Sequence, residues 1–153
     1  MWWYSVLKLL HVMAAVTAVG ANLTYRFWIR QAAREPANLA FVLASIRVID
    51  RRVANPGYGL LLVTGLLMAL TLRLPLTTPW LLSALFLYVL AALLGVLAYA
   101  PVTRRQRAIL ASDGFESPSY LKTARRAEVL GLLVTGDVVI IVFLMVVKPT
   151  LWG

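Results

Sequence analysis

The sequence has no cysteine, one histidine, and only six acidic side chains against fifteen lysines and arginines. The missing cysteine excludes disulfides, thiol catalysis and cysteine-ligated zinc or iron–sulfur sites, while leaving the compartment open. Paired carboxylates, a nucleophile triad, clustered metal ligands and a phosphate-binding loop are all lacking. There is no room for a water-soluble catalytic domain either, because 153 residues that are 61% apolar are largely taken up by hydrophobic runs.

Four such runs, near Leu9–Tyr25, Gly57–Leu72, Trp80–Val102 and Ala127–Val147, approach or exceed the roughly 17–25 apolar residues that cross about 30 Å of hydrocarbon as helix. The segments joining the first run to the second and the third to the fourth hold Arg26, Arg30, Arg34, Arg47, Arg51, Arg52, Arg104, Arg105, Arg107, Lys122, Arg125 and Arg126. The positive-inside rule makes that side cytoplasmic and turns both termini outward. Only Lys8, Arg73 and Lys148 remain on the other side, among Trp2, Trp3, Tyr4, Trp80 and Trp152, an interfacial belt of amphipathic rings. The net charge of +9 therefore reads as membrane topology and attraction to anionic lipid, not as nucleic-acid binding. A cleaved signal peptide is not expected, since Lys8 lies late and the first run ends in Tyr25-Arg26-Phe27-Trp28 without a small-residue cleavage site.

The fold class expected is all-α: an integral membrane bundle of four transmembrane helices in a single domain, 1–153, of the bacterial inner membrane. The spans are placed at 4–30, 56–73, 79–101 and 120–148, with a kinked continuation of the third helix through Arg107 also open. Helix one is expected to continue to about Arg34, ahead of Glu35-Pro36. Between Pro36 and Val53, Leu39, Val42, Leu43, Ile46, Ile49 and Val53 recur at helical spacing. Residues 37–53 then form either an amphipathic helix in the cytoplasmic interface or an extension of the second span. Asn55-Pro56 and Ser117-Pro118 are cap-plus-proline starts, and Leu74–Pro79 is a tight turn between antiparallel neighbours. Leu61-Leu62-Val63-Thr64-Gly65 recurs as Leu132-Leu133-Val134-Thr135-Gly136. Two readings stand: an internal two-helix repeat, or chance recurrence in apolar sequence.

Few residues are left to carry chemistry. At 100° per residue His11 falls in one stripe with Lys8, Ala14, Ala15, Ala18, Asn22 and Tyr25, opposite Leu9, Val12, Val16, Leu23 and Phe27. Small and polar residues favour helix contact over lipid, so His11 faces the protein, about 10 Å below the outer interface. An imidazole there can ligate haem iron, pass a proton or simply join two helices. Asp137 sits in mid-span, where an acid costs about 2.5–3.5 kcal/mol. Its compensation comes from His11, Thr64, Asn22 or protonation, and it serves either as a polar clasp or in proton or ion handling. Glu128 is expected to pair with Arg125 or Arg126. For iron on His11, Met68 or Met145 are the thioether candidates for a sixth ligand, although methionine in an apolar helix is usually filler. A second subunit or five-coordinate haem would also serve. Gly57, Gly59 and Gly65 read as close-packing positions.

Leu7-Lys8-Leu9-Leu10-His11 with Ala15-Val16-Thr17, Gly20 and Arg26 resembles the first helix of HemJ-type protoporphyrinogen oxidases, membrane proteins associated with b-type haem. That resemblance implies a functional role for His11. The family's helix-three lysine is replaced here by Ala84, one turn after Trp80, which argues against protoporphyrinogen oxidation. Taken whole, Lys8…His11, Asn55-Pro56, Thr64-Gly65, Trp80 and Pro101…Arg104-Arg105 more closely resemble an uncharacterised bacterial family of predicted integral membrane proteins. The function expected is a redox-associated membrane protein that binds haem b through His11 or accompanies a haem or quinone enzyme. The alternatives are a non-catalytic subunit of a larger membrane complex, or a small transporter; a homo-oligomer fits any of these.

Overall fold

The computed structural model describes residues 2–150. Among these residues the chain is all-helical, with four helices long and apolar enough to cross a membrane: α1 (Trp2–Ala32), α2 (Pro36–Thr71), α3 (Pro79–Ser112) and α4 (Pro118–Val147). They form two compact units divided between Leu76 and Thr77. Each unit is a helical hairpin, α1 with α2 and α3 with α4.

In the first hairpin α1 runs without proline until Glu35-Pro36. It ends at Ala32, slightly before the expected Arg34, and a turn follows in which Ala33 N–H bonds Ile29 O at 2.9 Å and Glu35 N–H bonds Ala32 O at 3.1 Å. Pro36 then opens α2 at a position where its missing N–H costs nothing.

Of the two readings of residues 37–53, the structure has the extension. Pro36–Thr71 is one continuous helix, and its early part packs on α1 through Leu39, Leu43 and Ile46, all buried. Asn55-Pro56 looked like a helix start because proline has no N–H and clashes with the carbonyl four residues back. A π-turn at Asp50–Ala54 removes the conflict: Asn55 N–H reaches five residues back to Asp50 O, and the widened turn lets Pro56 enter without a break. The same device recurs in α3. There Ala100 N–H bonds Gly95 O at the end of a π-turn, Leu94–Tyr99, and Pro101 follows within the helix. Hence α3 runs to Ser112, beyond the span expected at 79–101.

In the second hairpin the turn after α3 uses Gly114 at φ +80°, in the left-handed region. Ser117 caps α4 by accepting the Tyr120 N–H at 3.2 Å. At the opposite end, the Lys148 ammonium sits 5.5 Å from the centroid of the Trp80 ring. Trp152 lies outside the described residues.

Thirty residues of helix measure about 45 Å, so every rod exceeds the about 30 Å of hydrocarbon. The surplus falls at the closed end of each hairpin, which is where the twelve linker cations are. Arg26, Arg30, Arg34, Arg47, Arg51 and Arg52 belong to the first hairpin; Arg104, Arg105, Arg107, Lys122, Arg125 and Arg126 belong to the second. Leu9, Val12, Val16, Leu23 and Phe27 are exposed, as an apolar stripe turned to lipid requires.

Candidate functional site

The α1–α2 interface is the predicted α1 stripe laid against small residues of α2. Ala14, Ala18 and Tyr25 are buried, Ala18 completely. A Cβ on Gly57 would stand 3.1 Å from the Ala18 Cβ. A side chain there would push the helices apart, and glycine permits the close approach. Near the Arg-rich end, the Asn22 amide donates to the Tyr58 hydroxyl, which in turn lies 3.4 Å from the Ala18 carbonyl.

Nearer the open end of the hairpin stands His11. Its Nδ1 lies 2.9 Å from Thr64 Oγ1. Thr64 has one hydroxyl proton, and that proton goes to the Leu60 carbonyl 2.6 Å away on the preceding turn. The hydroxyl can then only accept from the imidazole, which fixes the proton on Nδ1. The backbone of Leu61 gives the ring a second hydrogen-bond acceptor. Gly65 makes the space, since a Cβ there would meet His11 Cε1 at 3.1 Å and Nδ1 at 3.6 Å. Nδ1 and Cε1 are thus the ring atoms pressed on α2. Nε2 is the ring nitrogen farther from Gly65 and has no side-chain hydrogen-bond partner among the described residues. His11 itself is only half-buried.

The remaining sequence candidates are distributed as follows. Thr64 is buried and serves His11; Asn22 is engaged with Tyr58. Lys8 is exposed, outside the hydrogen-bonded part of its stripe. Met68 is half-buried one turn after Thr64, on the helix that already supplies the acceptor for the imidazole. Asp137 and Met145 belong to the second hairpin. Asp137 is 8% exposed, and its Oδ2 has no hydrogen-bond partner among the described residues. Gly57 and Gly65 are close-packing positions as expected, but a Cβ on Gly59 would meet open space. Gly59 stands two residues from Gly57, about 200° around the helix and away from α1.

The two copies of the Leu-Leu-Val-Thr-Gly string do different work. In α2 its Thr-Gly pair receives His11, whereas in α4 a Cβ on Gly136 would meet nothing within 4 Å and it is on Gly131 that a Cβ would stand 3.4 Å from the Tyr99 ring. Tyr58 is the functional-looking residue that sequence reasoning passed over. Its signal was its place seven residues before Gly65, on the same face of α2.

Among the described residues no group of three or more His, Asp or Glu side chains could hold a metal ion. A lone imidazole can still ligate iron, accept a proton or join two helices.

The family model described as "Predicted integral membrane protein (DUF2269)" matches residues 5–149. No curated protein and no solved structure matches the chain.

Proposed function

Since the chain belongs to the DUF2269 family of predicted integral membrane proteins, matched over nearly its whole length, we propose that it is a four-span, redox-associated protein of the bacterial cytoplasmic membrane that binds b-type haem through His11. The carrying observation is the Nδ1–H to Thr64 hydrogen bond. A ligating histidine is normally oriented by donating its other ring N–H to a fixed acceptor, which sets the tautomer and strengthens the free nitrogen as a donor. Here Thr64 is that acceptor, and Leu60 fixes Thr64 in turn.

The donor set suits haem better than a bare ion. One imidazole is too little to retain a free metal, but porphyrin brings four of its own nitrogens and needs only an axial partner. Such a group supplies one-electron chemistry when bound. His11 would hold it, Thr64 would keep the imidazole neutral at Nε2 and correctly turned, and Gly65 would leave room for the ring. Met68, one turn beyond Thr64 on the same helix, would be a thioether available to the iron. The charge pattern supports a topology with the basic hairpin ends in the cytoplasm and both termini outside.

The test is the visible spectrum of the purified protein in detergent. A reducible Soret and α band that disappears in His11→Ala and shifts in Thr64→Val is the expected result. A colourless preparation after haem supplementation, or a spectrum unchanged in His11→Ala, overturns the proposal. A colourless protein that co-purifies with larger membrane subunits would point instead to an accessory subunit.

A further inference from the structure

The basic end of the second hairpin holds an open groove of about 740 Å³. Val102 of α3 lines it together with Lys122, Arg125, Arg126, Val129 and Leu130 of α4. Positions 122, 125 and 126 are three and four residues apart, so the three cations form one patch on a single helix face. Like charges so placed repel one another. All three are exposed, and none has a carboxylate partner among the described residues. The next turn brings Val129 and Leu130 to the same face, with the exposed Glu128 beside them, and from Val129 onward α4 is apolar but for Thr135 and Asp137. The groove therefore has a cationic mouth and an apolar wall.

That gradient fits an amphiphile with a negative head. A free phosphate would satisfy the arginines but leave the apolar wall without an occupant; a zwitterionic lipid would fill the wall but bring its own cation to the mouth. We propose that this groove is a binding site for an anionic phospholipid. Its phosphate diester sits among Lys122, Arg125 and Arg126, and an acyl chain lies along Val102, Val129 and Leu130. Arginine suits the role because its planar fork can take two phosphate oxygens at once. The site also lies where headgroups are, at the junction of the basic helix end with the apolar span.

The experiment is a titration of the full-length protein in detergent, followed by thermal unfolding and by native mass spectrometry. The probes are dioleoylphosphatidylglycerol, dioleoylphosphatidylcholine and inorganic phosphate. The anionic lipid should raise the unfolding temperature and remain bound in the gas phase; the other two should do neither. Arg125→Gln with Arg126→Gln should weaken the apparent affinity for phosphatidylglycerol about tenfold. Arg51→Gln with Arg52→Gln removes the same charge from exposed positions in the other hairpin, and should change it by less than about twofold if the site is local. Equal stabilisation by phosphatidylcholine, reproduction of the effect by phosphate, or equal losses in the two double variants would overturn the proposal. If the first double variant fails to fold, native mass spectra of the wild type in mixed micelles still decide. Equal retention of the two lipids would refute the site.

Discussion

The His11 imidazole fills the space that a side chain on Gly65 would need. Its Cε1 lies only 3.1 Å from the position of a Cβ on residue 65. The absence of a side chain there is what allows the Nδ1–Cε1 edge of a ring on α1 to press against α2 and reach Thr64.

Substitution at this contact should therefore be asymmetric among the glycines of α2. Gly65→Val is expected to cost about 1–3 kcal/mol through overpacking. Gly59→Ala, which faces open space, should be neutral or stabilising by up to about 1 kcal/mol, because alanine is the better helix former. Reversible unfolding in mixed micelles measures both; equal effects would contradict the packing described.

Thr64→Val keeps the shape of residue 64 while deleting the acceptor for His11 Nδ1–H. Interhelical hydrogen bonds in membranes average about 0.6 kcal/mol and reach about 1.7 kcal/mol. A loss in that range is expected, and a double-mutant cycle with His11→Ala should return a coupling of similar size. Zero coupling would mean that the two side chains do not support each other.

Asp137 Oδ2 has no hydrogen-bond partner among the described residues, so its carboxyl gains little from the fold. Asp137→Asn should leave unfolding stability within about 0.5 kcal/mol, as for substitutions that break no defined interaction. Asp137→Leu should improve membrane insertion of the α4 segment, by up to about 2.5–3.5 kcal/mol on insertion scales. A glycosylation-mapping assay of insertion reads this directly. If Asp137→Asn also abolished proton-coupled flux in liposomes, the residue would belong to a transport path.

The natural absence of cysteine makes topology easy to read. Single cysteines at Asp113 and Thr77, both exposed outside the helices, should label oppositely with an impermeant maleimide. Residue 77 should react in intact cells, and residue 113 only after permeabilisation. The reverse pattern would invert the orientation drawn from the arginines.

The turn before α4 should be acid-sensitive. Asp113 is held below the usual carboxylate range by hydrogen bonds from Ser112 and Ser119, the latter at 3.0 Å. A carboxyl with a depressed folded pKa contributes stability above its unfolded value, near 4, and loses it as pH falls through the lower folded value. The protection factors for amide exchange at Ser119 and Tyr120, taken against the intrinsic rate at each pH, should therefore fall below about pH 4, and Asp113→Asn should remove that dependence.

Much of α1 was legible because one physical rule governs it: lipid takes the stripe from Leu9 to Phe27, and protein takes the small and polar stripe carrying His11. The continuity of α2 was not legible. Asn55-Pro56 has the same local chemistry whether it starts a helix or follows a π-turn, and only the packing of Leu39, Leu43 and Ile46 on α1 decides between them. Thr64 and Asn22 were visible as polar groups in apolar runs, but their partners depend on the register between helices. By sequence Thr64 is a candidate partner for Asp137, and the α1–α2 register sets its hydroxyl against His11. The glycines show the same limit, since Gly57 and Gly59 look alike in sequence and only one faces a neighbouring helix.

The division at Leu76 has a consequence for biosynthesis. His11, Thr64, Asn22 and Tyr58 are all encoded in the first half of the chain, so the imidazole has its acceptor as soon as the opening hairpin has left the ribosome and entered the bilayer. A nascent chain ending near residue 76 already contains both the imidazole and the Thr64 hydroxyl that it bonds.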